Sequence, residues 1–205
     1  DKSKLRFHKH TKLAHYAKKA FDIEYKASPF GNKEIEGIHW RSDYDLTVHS
    51  KFSGQDLTYI DPDTNERYLP HIVETSGGVD RTFLFLLIDA YTEENNRVYL
   101  KLNPIIAPYQ VAVFPLVKNK PELVDKAREI YKNLRKTDLR INWDDRGNIG
   151  KRYLAQDEIG TPWCVTIDYQ TLEDGTVTIR DRDTSLQERI SMDKLETWIK
   201  ERLSA

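Results

Sequence analysis

The feature that most constrains this chain is a short, nearly continuous apolar run, Gln110-Val-Ala-Val-Phe-Pro-Leu-Val117. A strand with one wet face would alternate apolar and polar residues. A β-branched run without alternation predicts a strand buried on both faces, which needs cover above and below. The residues beyond Val117 supply that cover. Residues 121–134 have helical spacing, with Pro121 placed in the first turn. Residues 140–143 predict a second strand, 149–158 a polar helix and 163–168 a third strand. Glu173-Asp-Gly175 predicts a hairpin turn into a fourth strand at 176–180, and residues 192–203 a closing amphipathic helix. Strands separated by helices imply βαβ crossovers, and so an α/β domain of about 100 residues with a mixed, mostly parallel sheet.

The part before Pro104 reads differently. Leu102-Asn-Pro-Ile-Ile-Ala-Pro-Tyr109 carries two prolines that interrupt any regular element, so the domain boundary is placed there, 1–103 and 104–205. In the first part Leu13, Tyr16, Ala17 and Ala20 recur at helical spacing, which predicts a helix over 11–21. Residues 28–31 predict a turn, and the charged–apolar alternation of 33–40 a strand. Asp61-Pro-Asp-Thr-Asn65 marks a hairpin turn between two short strands. A strand over 71–76 then runs through Gly77-Gly78 into an apolar stretch, 82–91, that predicts a buried helix. The expectation is an α+β arrangement of antiparallel strands followed by a helix.

Composition excludes several function classes. The 205 residues hold 32 Lys and Arg against 33 Asp and Glu, and 11% are aromatic, so neither a polybasic tail nor an aromatic-poor disordered chain fits. The one cysteine, Cys164, excludes an intrachain disulfide framework or a cysteine-built zinc site. It lies in an apolar strand, where a buried, inert thiol is expected. That usage and the lack of any long apolar run point to a reducing setting away from membranes. The six histidines lie before the cut; His8, His10 and His15 read as surface residues rather than metal ligands.

Chemistry concentrates in Glu74-Thr-Ser-Gly-Gly-Val-Asp-Arg81. Glycines where a strand meets a helix let a ligand approach the backbone, and Arg81 offers a planar cation for a base or a phosphate. The plainer alternative is a glycine turn with Arg81 paired to Asp80. Glu34 and Glu36, two apart on a strand, are expected to share a face, either as a carboxylate pair or as a solvated edge. Arg41-Ser-Asp-Tyr-Asp-Leu46 reads as a hydrogen-bonded site wall. From Lys118 to Arg152 eleven basic residues stand against six acidic ones, with Trp143, Tyr153 and Trp163 nearby. This is either an RNA-contacting face or an ordinary solvated helix face.

Glu34-Ile-Glu-Gly-Ile-His-Trp-Arg-Ser-Asp-Tyr-Asp-Leu46, Tyr59-Ile-Asp-Pro-Asp-Thr-Asn65 and the Glu74–Arg81 stretch resemble glycyl-tRNA synthetases of the homodimeric class II type. Val113-Phe-Pro-Leu-Val-Lys118, Gly147-Asn-Ile-Gly-Lys-Arg152, Asp157-Glu-Ile-Gly-Thr-Pro162 and Val177-Thr-Ile-Arg-Asp-Arg-Asp-Thr184 resemble the anticodon-binding domain of the same family. The resemblance implies a remnant of the antiparallel class II catalytic sheet followed by an α/β anticodon-binding domain. It implies a cytoplasmic homodimer that joins glycine, ATP and tRNA-Gly through glycyl-adenylate, with Mg²⁺. By the same resemblance Glu74–Arg81 is motif 3. Arg81 is then the catalytic residue; Glu34, Ile35, Gly78, Val79, Asp80 and Arg81 bind ATP; and Glu34, Glu74, Thr75, Ser76, Gly77 and Gly78 bind glycine.

The pattern departs in two places. Ser76 stands where the class usually has Gly, and motifs 1 and 2 are not found. With no initiator Met, the chain is expected to be a C-terminal portion that does not aminoacylate by itself. The alternative is a non-catalytic synthetase-like module that binds RNA or protein.

Overall fold

The computed structural model describes residues 2–204. They form two compact units that divide between Asp89 and Ala90. The cut expected before Pro104 falls inside the second unit.

The first unit opens with a 3-10 turn, Lys2–Lys4, followed by β1 (Leu5–Lys9), β2 (Lys19–Ala27), β3 (Gly31–Ser42) and α1 (Tyr44–Ser53). A hairpin of β4 (Tyr59–Ile60) and β5 (Arg67–Tyr68), then β6 (Ile72–Gly77) and α2 (Val79–Ala90), complete it. The sheet order is β1-β2-β3-β6, antiparallel throughout. The β4–β5 turn forms as expected, with the Asp61 carboxylate accepting from the backbone N–H of Asp63 and Thr64 at 2.9 and 3.0 Å.

Two expectations fail here. Residues 11–18 are turns and irregular chain, and β2 begins where the helix was expected to end. Phe21, Ile23 and Tyr25 alternate, and β2 is paired on both sides, so long-range strand pairing overrides a local helical spacing. The α2 helix forms but is not buried: Phe85 is, whereas Val79 and Phe83 are 82% and 62% exposed. One stripe of α2 packs on Tyr25, Ala27 and Ile35. A helix that is apolar all round has more apolar surface than one sheet face covers.

The second unit begins with the hairpin β7 (Tyr91–Glu94) and β8 (Arg97–Leu100). Its turn, Asn95-Asn96, has φ of 51° and 58°, the left-handed conformation that Asn tolerates and tight hairpins need. Then come β9 (Val111–Pro115), α3 (Pro121–Leu134), β10 (Ile141–Trp143), α4 (Ile149–Glu158) and β11 (Trp163–Ile167). The chain closes with α5 (Tyr169–Asp174), β12 (Thr176–Asp181), β13 (Gln187–Ser191), a 3-10 turn at Met192–Lys194 and α6 (Leu195–Leu203). The sheet order is β10-β9-β11-β12-β13. β9 lies parallel to both β10 and β11, while β11–β12 and β12–β13 are antiparallel. The sheet is mixed, as expected, but parallel in only half its pairings.

The hairpin turn expected at 173–175 is instead the end of α5. Asp168 caps that helix at 3.1 Å to the Thr171 N–H, and Gly175 at φ 70° closes it. β9 and β11 are buried along their whole length. Leu123, Ala127, Ile130 and Leu134 of α3 cover one side of the sheet, and Ile149 and Tyr153 of α4 cover Ala112, Phe114 and Cys164 on the other. Burial pushes the Cys164 thiol well above its ordinary value, so it stays protonated and inert, as expected. No helix among the described residues is long and apolar enough to cross a membrane.

Candidate functional site

In an antiparallel sheet, directly paired residues project from the same face. β3 breaks its own alternation: Glu36 pairs with Ile23, yet Glu34 pairs with the next residue, Glu24. Ile35 is the extra residue of a β-bulge. Glu34 and Glu36, expected to share a face, therefore lie on opposite faces. Glu36 and Ile35 fall on the side of α2, and Glu34 on the other. A second irregularity sets Arg41 between the pairs Trp40–Val73 and Ser42–Ile72.

The face opposite α2 is polar. It carries Asp22, Glu24, Glu34, His39, Arg41, Glu74 and Ser76, with Gly37 among them opposite Asp22 and Ser76. The Arg41 guanidinium donates to Glu74 Oε2 at 2.6 Å and to both carboxylate oxygens of Asp45 at 2.6 and 2.8 Å. It also lies 4.1 Å from the Tyr16 ring centroid. These carboxylates, Asp45 foremost, hold Arg41 above its ordinary value, and Arg41 in turn lowers Asp45. Asp22 pairs with His10 Nε2 at 2.8 Å. A Cβ at Gly37 would sit 3.1 Å from the His39 ring and 3.7 Å from Glu34 Oε1. The His39 ring thus packs closely over Gly37, with the Glu34 carboxylate beside it. His39 Nδ1 is buried with no hydrogen-bond partner among the described residues.

The register brings Glu34, Glu74 and Ser76 together on this face. It sends Thr75 and Gly77 to the other, with Ile35. Ile35, Gly77 and Val79 instead line an apolar hollow of about 500 Å³ beside α2. Gly78, Val79 and Asp80 form the junction into α2. Arg81 reaches back from the first turn of α2 and donates to the Glu34 carbonyl at 2.9 Å, not to Asp80. Sequence reasoning missed Asp22, Gly37 and His39. An isolated glycine inside an alternating strand was the available signal for that close approach.

In the second unit, α3 and α4 lie on opposite faces of the sheet, so the chain reverses its winding at β9. The loops after β9 and β10 leave the same end, where open α/β sheets place ligands. Lys118 and Lys120 stand exposed after β9, and Arg146 and Lys151 after β10. Asp144, held below the usual carboxylate range against its burial by Arg146, accepts from that side chain at 3.1 Å. Asn148 caps α4 by accepting from the Lys151 N–H at 2.9 Å.

The basic count overstated this face. Arg152 is 2% exposed and donates to the carbonyls of Pro115, Arg146 and Gly147. Arg140 donates to the carbonyls of Ile105 and Ala107. Nor do Trp163, which is buried, and Tyr153, whose hydroxyl bonds Thr166 at 2.6 Å, stand free to stack on a base. Arg128 covers Trp143 at 4.7 Å.

Residues 110–202 match the anticodon binding domain family. The chain is also similar to glycine–tRNA ligases. It is 52% identical to that of Chlorobaculum tepidum over 98% of this chain and 43% of the relative. It is 54% identical to that of Borreliella afzelii over 98% and 46%, and 49% identical to that of Thermobifida fusca over 100% and 46%. The chain spans somewhat under half the length of these relatives. Residues 110–202 therefore belong to the anticodon binding domain family, and the chain as a whole is a relative of the glycine–tRNA ligases.

Proposed function

We propose that this chain serves glycine–tRNA ligation. Glycine attacks the α-phosphorus of ATP through its carboxylate, pyrophosphate leaves, and a terminal hydroxyl of tRNA-Gly then takes the glycyl group as AMP departs. The observation that carries the reading is the polar sheet face, which Glu34 and Glu74 share with Gly37 and His39, and the return of Arg81 to the same strand. Glycine has no side chain to grip, so its ammonium must be held and anything larger refused. Two carboxylates answer the ammonium by charge-assisted hydrogen bonds. A substrate side chain pointing at Gly37 would meet the His39 ring, a repulsive form of selection. Arg81 would stack on the adenine and offset charge developing on the phosphoryl oxygens.

Among the described residues no three His, Cys, Asp or Glu side chains form a metal cradle. Mg²⁺ would then be held largely by the ATP phosphates. The anticodon-binding family match and the lysines after β9 support tRNA-Gly as the partner of the second unit. Homodimeric assembly and a cytoplasmic location complete the reading; apolar side chains left in solvent along α2 support a covering partner surface.

The test is calorimetric titration of the chain with 5′-O-(glycylsulfamoyl)adenosine, a stable mimic of the adenylate. Glu34→Gln and Glu74→Gln should each weaken binding about tenfold or more, the scale of one charge-assisted hydrogen bond. Unchanged affinity in both variants would sink the assignment of the ammonium site.

A further inference from the structure

The Ile35 bulge has a structural permit in Gly77. A Cβ at Gly77 would lie 2.9 Å from the Ile35 carbonyl oxygen, closer than real Cβ contacts come, and a backbone carbonyl cannot swing aside as a side chain can. The neighbouring Gly78 is different. A Cβ there would meet only the Cβ of Arg81, at an ordinary 3.6 Å. Of the two glycines at the strand–helix junction, contact demands only the first.

The bulge decides what each side of β3 presents. With Glu36 held opposite Ile23, regular pairing would set Ile35 opposite Glu24 on the polar face. Glu34 would then fall opposite Tyr25, on the apolar side under Phe85. Both placements are wrong for their chemistry: a carboxylate would enter the small core, and an isoleucine would stand among acids. The bulge reverses both. It seats Ile35 against the Tyr25–Phe85 cluster and turns Glu34 to the polar face. The Glu34 carbonyl also receives the Arg81 guanidinium at 2.9 Å.

We propose that Gly77 is a positioning residue: by admitting the Ile35 bulge it places the Glu34 carboxylate and the Arg81 guanidinium on one site, without itself touching a ligand. The proposal rests on the adenylate-site reading above. It assigns Gly77 a role through β3 instead of a contact with glycine.

The test is NMR of the isotopically labelled full chain as wild type, Gly77→Ala, Gly78→Ala, and Gly77→Ala with Ile35 deleted, each titrated with ATP. Wild type and Gly78→Ala should show nuclear Overhauser contacts from the Ile35 methyl to the Tyr25 and Phe85 rings. Gly77→Ala should lose them and weaken ATP binding at least about tenfold, the scale of a misplaced site group. Deleting Ile35 removes the obstructing carbonyl while leaving Glu34 opposite Glu24. It should therefore restore the β2–β3 contacts, even if Gly77→Ala alone unfolds the first unit. Gly77→Ala that keeps the Ile35 contacts and its ATP affinity would overturn the proposal, as would a deletion that does not restore the β2–β3 contacts. ATP bound by none of the four would count against the adenylate-site reading alone, and the Ile35 contacts would then decide on the bulge.

Discussion

Asp157 of α4 has no exposed side-chain surface, yet it takes two hydrogen bonds from Arg180, at 2.8 and 3.0 Å, and one from Arg97 at 2.9 Å. Arg97 also donates to the Arg182 carbonyl at 2.7 Å, and Arg182 to the Gly160 carbonyl at 2.7 Å. One carboxylate thus ties the β7–β8 hairpin, β12 and the end of α4 together. Removing it leaves buried guanidinium charge uncompensated, so Asp157→Ala should destabilise the second unit by about 3–5 kcal/mol. Urea unfolding followed by Trp163 fluorescence measures this, and a loss under about 1 kcal/mol would refute it. None of this network is legible in the sequence, where Asp157, Arg180 and Arg97 are ordinary charges far apart. The candidate residues Glu34, Glu74, Ser76 and Arg81 could be picked out in the sequence, because short contiguous segments carry them.

At the scale of elements, α5 shows how a cap redirects a chain. Burial pushes the Asp168 carboxyl upward, but the Arg189 guanidinium and the Thr171 hydrogen bonds outweigh it and hold Asp168 below the usual carboxylate range. A lowered carboxylate stabilises the fold above its unfolded pKa and loses that contribution as pH falls through its folded value. Asp168→Ala should cost about 1 kcal/mol near neutrality, the worth of an N-cap. The gap between variant and wild type should close as pH falls below about 4. Thermal unfolding across a pH series checks this; a gap that persists or widens in acid contradicts the assignment. Asp-Gly at 174–175 looked like a hairpin turn because Gly175 needs a left-handed φ in either setting. The N-cap six residues upstream of Asp174 was the overlooked cue. The bulge at Ile35 was illegible for another reason: it depends on Gly77, far along the chain, leaving room for a carbonyl.

The two units should differ in stability because their cores differ in size. The first rests on Tyr25, Ala27 and Phe85, whereas the second buries fourteen side chains in its main cluster. Urea unfolding should therefore be biphasic, with Trp40 in the first unit reporting an earlier transition than Trp143, Trp163 and Trp198 in the second. A single coincident transition at all four sites would contradict this. For tRNA, the combined change of Lys118, Lys120 and Lys151 to Ala should weaken binding and flatten the dependence of log affinity on log salt by about 2–3 units. Filter binding across a salt series reads both. Equal slopes in variant and wild type would remove these lysines from the interface. Arg152→Ala should act otherwise, lowering the stability of the second unit, because its guanidinium holds three carbonyls inside the protein.

Periodicity and turn chemistry by themselves determined the strand–helix alternation from β9 to β11, the double burial of β9, and the hairpin around Asp61-Pro-Asp-Thr-Asn65, since each depends on neighbours within a few residues. The resemblance carried by short motifs determined where to look for a site. Tertiary structure alone decided which face Glu34 occupies, that β2 is a strand, that α2 leaves apolar surface in solvent, and which arginines are spent on internal carbonyls. Those outcomes turn on partners distant in sequence, where strand pairing, a missing Cβ or a buried carbonyl outweighs the local pattern.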